Sequence, residues 1–464
     1  MKNLITLFIF VLSFLDVSGK STPRKDSLLT FGHPDNFEVS YGKLTFGALP
    51  PQKSSVKANN INFSIQSVKK TDDGYIVYGS RNKDGVPKVF SAFTSDGYSF
   101  SDTKILFEVP PSLSGTPWLT SQVTLGGDSL FLMLCARGIP QMAGHFFYGY
   151  KAGQDGTNWR SIKNDYLYRG QDALKVVWNN KLGKFVNYHT SYQKYNKRFP
   201  DNLPDVRRVM HIRSSPDGLN WAPGGSFGAS GPYLSVDQLI LPDSLDYEDT
   251  EFYKLSVINM GEFWAGIMVK YSPKPPEIPI VSPWPHGPFL EYEWWISGDG
   301  LDWKRPFREN SALDDAAYHL AYGLTDPIQV NNELRWLAGA NEIFTLDRNR
   351  MFYAYCKSNA EIITKPIKLS GAPLSLQVDF FERDKTNSSP LNQALKKGYL
   401  IAELLDDKGV VIPGFERSKC IFQTSGDKTL TLKWGDNLFP ANYKQSPVQL
   451  RILFRDMRLY SLAY

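Results

Sequence analysis

A basic and aromatic segment between residues 188 and 213 contains the side chains best suited to chemistry. Tyr188 and His189 can abstract and deliver a proton, and Arg207, Arg208 and His211 follow in the same segment. Arginine binds carboxylate or sulfate through paired hydrogen bonds. Proton abstraction beside an arginine-neutralised uronic acid is the chemistry of a polysaccharide lyase or a sugar dehydratase. The pattern also suits a solvated hairpin whose cations face water.

Other candidate ligand-binding residues are scattered along the chain. Trp118 and Trp284 can stack on sugar rings, although tryptophan is equally at home in the packing of an all-β protein. The spacing of His, Cys, Asp and Glu residues matches no metal site, and no glycine-rich loop precedes a helical pattern. We therefore expect no cofactor. The pattern leaves room for a structural Ca²⁺ in an axial channel.

The elements that must position these residues are indicated by a repeated turn motif. Asp-Gly, two variable residues and an aromatic residue occur four times, beginning at Asp96, Asp155, Asp217 and Asp299. The aspartate accepts N–H groups of its own turn, glycine takes a positive φ, and the aromatic side chain packs under the strands. The steps are about 60, 60 and 80 residues, which indicates internal repetition. The repeat predicts a β-propeller, with residues from several blades around a central pocket.

Strand-like runs between about residue 60 and residue 355 group into five sets, so we predict an all-β fold with a five-bladed β-propeller. A proline-rich segment at 272–288 interrupts the fourth set and could form part of a pocket rim. After about residue 365 the alternation changes character and predicts a C-terminal β-sandwich. The predicted boundaries are a signal peptide at 1–19, a propeller at 20–364 and a sandwich at 365–464.

The totals restrict the class of protein. The chain has 464 residues, 14% of them aromatic, and a net charge of +5, which permits an acidic ligand but does not indicate a nucleic-acid partner. The apolar run 4–15 behind Lys2 predicts a signal peptide, and no later run is long enough to span a membrane. We therefore expect a secreted or periplasmic protein. Three cysteines form no disulfide framework, and Cys135 and Cys356 lie in strand-like runs that predict buried thiols.

Three segments carry a resemblance to a known superfamily. They are 297–303 (SGDGLDW), Arg207-Arg208 ahead of 214–218 (SSPDG), and the ending 450–461 (LRILFRDMRLYS). The chain resembles the five-bladed glycosidases of glycoside hydrolase families 32 and 43, and more closely their uncharacterised bacterial relatives that carry a C-terminal sandwich. The resemblance covers nearly all of the chain after the signal peptide and is specific for architecture rather than for substrate.

The resemblance implies catalytic carboxylates on different blades around the pocket. The expected Asn-Asp-Pro or Arg-Asp-Pro signature is absent, and the start of the first blade (58–64, ANNINFS) offers amides where the family has aspartate. The nearest positional candidates are Asp172, Asp237 and Glu251, each at the start of an apolar strand, with Gln171 beside the first. Each could instead be a turn carboxylate that caps a strand end.

We predict an exported enzyme that cleaves glycosidic bonds in an acidic polysaccharide, bearing uronate or sulfate, or in its oligosaccharides. Hydrolysis by Asp172, Asp237 and Glu251 is favoured, with Arg207 or Arg208 holding an anionic substituent. The alternative is β-elimination by His189 and Tyr188. A non-catalytic, glycan-binding propeller is a further alternative, because the usual carboxylate signatures are missing.

Overall fold

The computed structural model describes residues 27–83, 86–110, 113, 118–137, 145–170, 173–197, 205–222, 239–271, 290–309, 326–338, 341–381, 398–421, 428–438 and 446–464. Within these ranges the regular structure is β-strand, apart from single 3₁₀ turns at Pro34–Asn36, Arg348–Arg350 and Arg417–Lys419. The prediction of an all-β protein is confirmed.

Thirty-two strands follow one another along the described chain. The N-terminal strands are β1 Leu28–Thr30, β2 Phe37–Tyr41, β3 Thr45–Ala48 and β4 Gln52–Lys53. The central strands are β5 Ser64–Lys70, β6 Tyr75–Lys83, β7 Val86–Thr94, β8 Lys104–Glu108, β9 Trp118–Gly126, β10 Ser129–Arg137, β11 His145–Gly153, β12 Arg160–Ser161, β13 Tyr168–Gly170, β14 Leu174–Asn179, β15 Lys184–Lys194, β16 Val206–Ser215, β17 Leu239–Ile240, β18 Glu251–Asn259, β19 Trp264–Tyr271, β20 Leu290–Ser297, β21 Trp303–Lys304, β22 Ile328–Val330, β23 Glu333–Ala338 and β24 Glu342–Asp347. The C-terminal strands are β25 Phe352–Cys356, β26 Ala360–Thr364, β27 Ile367–Lys368, β28 Ser375–Phe380, β29 Tyr399–Leu405, β30 Thr429–Thr431, β31 Pro447–Arg455 and β32 Met457–Ala463.

The central strands form five antiparallel sheets in chain order. Sheet 1 is β5–β8, sheet 2 is β9–β12 with β13 added to β11, sheet 3 is β14–β17 and sheet 4 is β18–β21. Sheet 5 consists of β22–β24 and is completed by β4, which pairs with β24 through Gln52 and Lys53. The N-terminal segment therefore supplies the last strand of the last sheet.

The five sheets close into a ring. Each sheet packs against the next through a cluster of buried apolar side chains, and sheet 5 packs against sheet 1. Members of the five clusters are, in order, Val89 and Leu132, Phe147 and Leu174, Ile212 and Phe252, Trp294 and Trp336, and Leu337 and Val77. Strands covered on both faces need apolar residues at successive positions, and 130–136 of β10 are all 0% exposed.

The four Asp-Gly motifs are hairpin turns, as predicted. In the third, the Asp217 carboxylate accepts the N–H groups of Leu219 and Asn220, and Gly218 has φ +80°. Burial by itself raises the pKa of Asp217, but the hydrogen bonds from this turn outweigh it and lower the pKa to about 2. The indole of Trp221 donates to the carbonyl of Gly218 at 2.9 Å. The aromatic residue thus locks the turn to which it belongs.

Each Asp-Gly turn also rests on the preceding sheet of the ring. Tyr188 of sheet 3 donates its hydroxyl to the carbonyl of Gly300 in the turn of sheet 4, and Asn179 donates to the carbonyl of Asp299 at 2.6 Å. Arg335 of sheet 5 donates in the same way to the carbonyl of Asp96 in the turn of sheet 1. The repeated motif is therefore part of the packing between sheets.

Two further sheets are built from both ends of the chain. One contains β1, β3, β25, β28, β30 and β32, and the other contains β2, β26, β27, β29 and β31. They enclose one apolar core that includes Phe31, Leu376, Trp434 and Phe454. Residues 20–364 are predicted as the propeller, whereas strand pairing joins 28–48 and 352–364 to these C-terminal sheets. That long-range pairing leaves no local signal in the sequence.

Candidate axial site

A cavity of about 350 Å³ lies where the five sheets converge. The first strand of every sheet contributes to its wall: Ser67 from β5, Thr124 from β9, Trp178 from β14, Asn259 from β18 and Gln329 from β22. Thr124, Trp178 and Asn259 lie in the last third of their strands, so most of the wall lies toward the end where β9, β14 and β18 finish. We call it the axial cavity.

Asp326 is the one carboxylate among the described residues that line the axial cavity. It precedes β22, and its backbone N–H donates to the carbonyl of Ile65 in sheet 1 at 3.0 Å. Pro327 follows, and its ring restricts the backbone of Asp326 to extended conformations. The carboxylate is thus fixed at the seam between the last and first sheets.

Lys175 reaches Asp326 from sheet 3. Its Nζ donates to Oδ1 of Asp326 at 2.6 Å, although the two residues are 151 positions apart. The Lys175 side chain is 1% exposed, whereas that of Asp326 keeps 28% of its surface. The other carboxylate oxygen, Oδ2, makes no hydrogen bond to a described residue. One oxygen is therefore held and the other can meet a ligand in the cavity.

The environment of Asp326 favours its protonated form. Burial raises the pKa of Asp326, and the charge and hydrogen bond of Lys175 oppose that shift without cancelling it. A carboxylic acid with a raised pKa in a cleft is a group that can donate a proton to a leaving group. Asp326 can therefore act as a general acid.

Glu251 lies at the other end of the ring from the axial cavity. It opens β18, whereas Ile258 and Asn259 of the same strand line the cavity about 20 Å further along. Its carboxylate is 3% exposed, accepts from Lys197 Nζ at 2.6 Å and forms an ion pair with Arg208. The backbone N–H of Arg208 also donates to it at 3.2 Å. Glu251 thus joins sheets 3 and 4 through buried charge pairs.

Tyr188 and His189 are neighbours on β15 and point to opposite faces of sheet 3. The Tyr188 hydroxyl bonds to Gly300 on the side of sheet 4, and burial raises its pKa. His189 faces sheet 2, with its ring 5.5 Å from that of Phe147 and 5.0 Å from that of His211. Burial lowers the pKa of His189 well below its ordinary range and that of His211 to about 3. The two proposed partners in elimination do not share a cavity.

Some of the remaining predicted site residues lie within the described ranges, and the others lie outside them. Arg207 lies 4.3 Å over the ring of Tyr195, and its Nε donates to Gln193 at 2.8 Å. Trp118 begins β9, but its side chain is outside the described part of the chain. Four predicted residues lie entirely outside the described ranges: Gln171, Asp172, Asp237 and Trp284.

Sequence reasoning missed both Asp326 and Lys175. The usable signal was the Asp-Pro pair at 326–327, in front of the short apolar strand of the fifth set. The expected signature has Asn or Arg before Asp-Pro. Thr325 precedes the pair in this chain, so the pair did not match. Lys175 has no such signal, since its partner is distant in sequence.

Several solved structures are similar to this chain at low TM-scores. No protein-family model matches it, and no curated protein matches its sequence. One similar solved structure is a thermostable family-43 glycoside hydrolase, with 11% identity over 63% of this chain and 91% of that one, at a TM-score of 0.40. Another is Zg3597, a family 117 glycoside hydrolase of Zobellia galactanivorans, with 13% identity, coverage of 67% and 90%, and a TM-score of 0.35.

A family-32 β-fructofuranosidase of Bombyx mori has 10% identity over 93% of this chain and 95% of that one, at a TM-score of 0.34. Two of these similar structures are glycoside hydrolases of families 43 and 32, the families that the sequence resembles. Among the residues that the structure describes, no cluster of three His, Cys, Asp or Glu side chains could hold a metal, and no helix could cross a membrane.

Proposed function

We propose that this protein is an exported glycoside hydrolase that cleaves glycosidic bonds in an acidic polysaccharide or its oligosaccharides. The observation that carries the proposal is Asp326, a carboxylic acid with a raised pKa whose free oxygen meets a cavity formed by all five sheets. Cleavage of a glycosidic bond requires a proton donor beside the leaving oxygen. Asp326 takes that role, and Lys175 positions it.

We further propose that the five sheets are the blades of a five-bladed propeller and that the two remaining sheets form a β-sandwich. Cyclic packing of sheets 1–5 and the shared core of the other two support this assignment. The propeller then comprises about 52–347, and the sandwich comprises 28–48 together with 352–463. Convergence at one axis explains how Lys175 and Asp326 meet.

Hydrolysis needs a second carboxylate that activates water or attacks the sugar. Asp172 remains our first candidate, because it precedes Lys175 by only three residues in the sequence. Asp237 remains the alternative. Glu251 is less suitable, because its carboxylate already serves Lys197 and Arg208.

The anionic substituent is better matched to Arg207 than to Arg208. The Arg208 guanidinium is committed to Glu251. Arg207 bonds to a described neighbour through Nε alone, so its terminal nitrogens keep the paired geometry that recognises carboxylate or sulfate. Arg207 adjoins Arg208 at the Glu251 end of the ring, so it would bind an anionic group of the glycan outside the axial cavity rather than at the bond that is cleaved. An acidic glycan is therefore the class of substrate that we propose.

The test is cleavage of a panel of acidic polysaccharides by the wild type and by Asp326→Asn, followed by mass analysis of products. We expect new reducing ends from the wild type and a loss of at least a hundredfold in Asp326→Asn, because amide cannot donate the proton. Asp73→Asn, an exposed turn carboxylate, is the matched control and should keep full activity. Unchanged turnover in Asp326→Asn would remove Asp326 from the mechanism.

The same assay separates the alternatives. Elimination would give unsaturated uronates with ultraviolet absorbance and would depend on His189. Tyr188 and His189 face different sheets, which argues against that chemistry. Retention of polysaccharide without any product would identify a non-catalytic glycan-binding protein.

A further inference from the structure

A second cavity, of about 600 Å³, lies between sheets 2 and 3 at the same end of the ring as the axial cavity. The two cavities share Gly126, Gly127 and Trp178. The two cavities are therefore neighbours that meet at Trp178. We call it the side groove.

Two cations stand together on the wall of the side groove. Lys151 and Arg160 are directly opposite each other on β11 and β12, so their side chains leave the same face of the sheet. Like charges in this register repel each other, and neither cation forms an ion pair with a described residue. Lys151 Nζ donates to the carbonyl of Asp217 at 3.2 Å and lies 5.9 Å from the centroid of the Phe185 ring, and neither contact neutralises its charge.

The opposite wall of the side groove is aromatic. The rings of Trp178 and Phe185 meet edge to face at a centroid distance of 4.8 Å. Gly126 lets both rings pack against its backbone, since a Cβ there would come within 2.7 Å of Phe185 and 2.8 Å of Trp178. Aromatic faces stack on the apolar faces of sugar rings. Asp128 is the one described acidic residue in the lining, so the cations are in excess.

We propose that the side groove is a binding subsite for an anionic sugar of the glycan chain whose cleavage occurs at the axial cavity. Trp178 supports the ring, and Lys151 and Arg160 bind its carboxylate or sulfate. The subsite rests on the proposed function only for the assignment of its ligand as a glycan. Carboxylate and sulfate share the same recognition chemistry, and the probes below distinguish them.

The test is affinity gel electrophoresis of the full chain with polygalacturonate, a sulfated galactan and a neutral glucan in separate gels. Asp326→Asn serves as the background, so that binding is measured without cleavage. We expect Lys151→Met and Arg160→Gln each to weaken binding to polygalacturonate, to the sulfated galactan or to both by about tenfold. Lys104→Met, an exposed lysine on sheet 1, is the charge-matched control and should bind as the background does.

Loss of retention on the uronate gel alone assigns the carboxylate, and loss on the sulfated gel alone assigns the sulfate. Unchanged retention in both variants, equal retention on the neutral glucan, or no retention of the background protein on any gel would overturn the subsite. The proposed function is judged separately by the products of the wild type. Active enzyme with unaffected Lys151 and Arg160 variants would refute the subsite and leave the hydrolase intact.

Discussion

Two effects act in opposite directions on the pKa of the Asp326 carboxyl group. Burial raises the pKa of Asp326, and Lys175 pulls it in the opposite direction. A buried lysine beside a proton donor therefore tunes the pH range of the donor rather than supplying the proton itself. This role differs from that of Lys197 and Arg208, which bind a carboxylate at the junction of two sheets.

Lys175→Met should move the alkaline limit of activity to higher pH. A general acid works while it is protonated, and removing the opposing cation raises the pKa of Asp326 further. We expect the alkaline limb of the kcat/KM profile to shift upward by about one pH unit. Lys104→Met should leave the limb unchanged. A shift to lower pH would show that Lys175 does not act on the proton donor electrostatically.

The pair His189 and His211 makes the protein sensitive to acid. Both rings are 0% exposed and stand near the buried Arg213, and burial followed by neighbouring positive charge lowers their pKa values. The unfolded chain binds a proton at each histidine below about pH 6.5, whereas the folded chain does not bind one at His211 until about pH 3. Stability therefore falls as the pH drops from about 6.5.

His211→Phe should reduce this sensitivity. Each buried neutral histidine costs about 1.4 kcal/mol of unfolding free energy for every pH unit below 6.5. Urea unfolding at pH 7, 6 and 5 should give a slope for the variant that is smaller by about that amount. Equal slopes for variant and wild type would mean that His211 is protonated in the folded protein.

At the scale of the element, the Asp-Gly turn combines a local and a tertiary role. In the third turn, the hydrogen bonds that Asp217 accepts and the positive φ of Gly218 are local features. The same turn also packs against the preceding sheet of the ring. A Cβ on Gly218 would lie 2.6 Å from the ring of Phe131 in sheet 2 and 3.3 Å from Ile162, which directly follows β12 of that sheet. Glycine is needed there for two independent reasons.

Gly218→Ala should therefore destabilise the protein more than a glycine substitution in an open turn. We expect a loss of about 2–4 kcal/mol from positive φ and overpacking together. Gly183→Ala is the matched control, because φ is +60° but no atom lies within 4 Å of the added Cβ. It should cost about 1 kcal/mol, from backbone strain alone. Similar losses by thermal or urea unfolding would show that the turn does not pack against sheet 2.

At the scale of the whole molecule, the N-terminal segment has two structural tasks. β4 completes sheet 5 by pairing with β24, and β1–β3 pair with C-terminal strands. An unpaired strand edge exposes N–H and C=O groups, and β4 covers that edge of β24. The first 27 described residues, 27–53, therefore complete sheet 5 and tie the ring to the other two sheets.

A chain that begins at residue 55 should fail to give a stable monomer. It lacks β1–β4, so the edge of β24 and the partners of β1–β3 are exposed. We expect aggregation or loss of cooperative unfolding, measured by size-exclusion chromatography and thermal melting. A chain that begins at residue 27 retains all described strands and should behave as the full chain does. A soluble monomer with an unchanged melting temperature would refute the closure by β4.

Interactions between neighbouring residues account for the features of the fold that could be predicted from the sequence. The Asp-Gly turns and the all-β class follow from turn residues and alternation, which act over a few neighbouring positions. The same period of two already implied that Tyr188 and His189 point apart. The proposed chemistry for that pair required them to act together.

The residues that meet at the axis, and the way in which the ring closes, could be identified only from the arrangement of the sheets in space. Asp326 and Lys175 are 151 positions apart, and β4 lies nearly 300 positions before its partner β24. Such contacts depend on how successive sheets rotate and pack, and short sequence periods carry no information about that arrangement. The pKa of Asp326 also depends on the tertiary structure, because it is set by burial and by Lys175, which is distant in sequence.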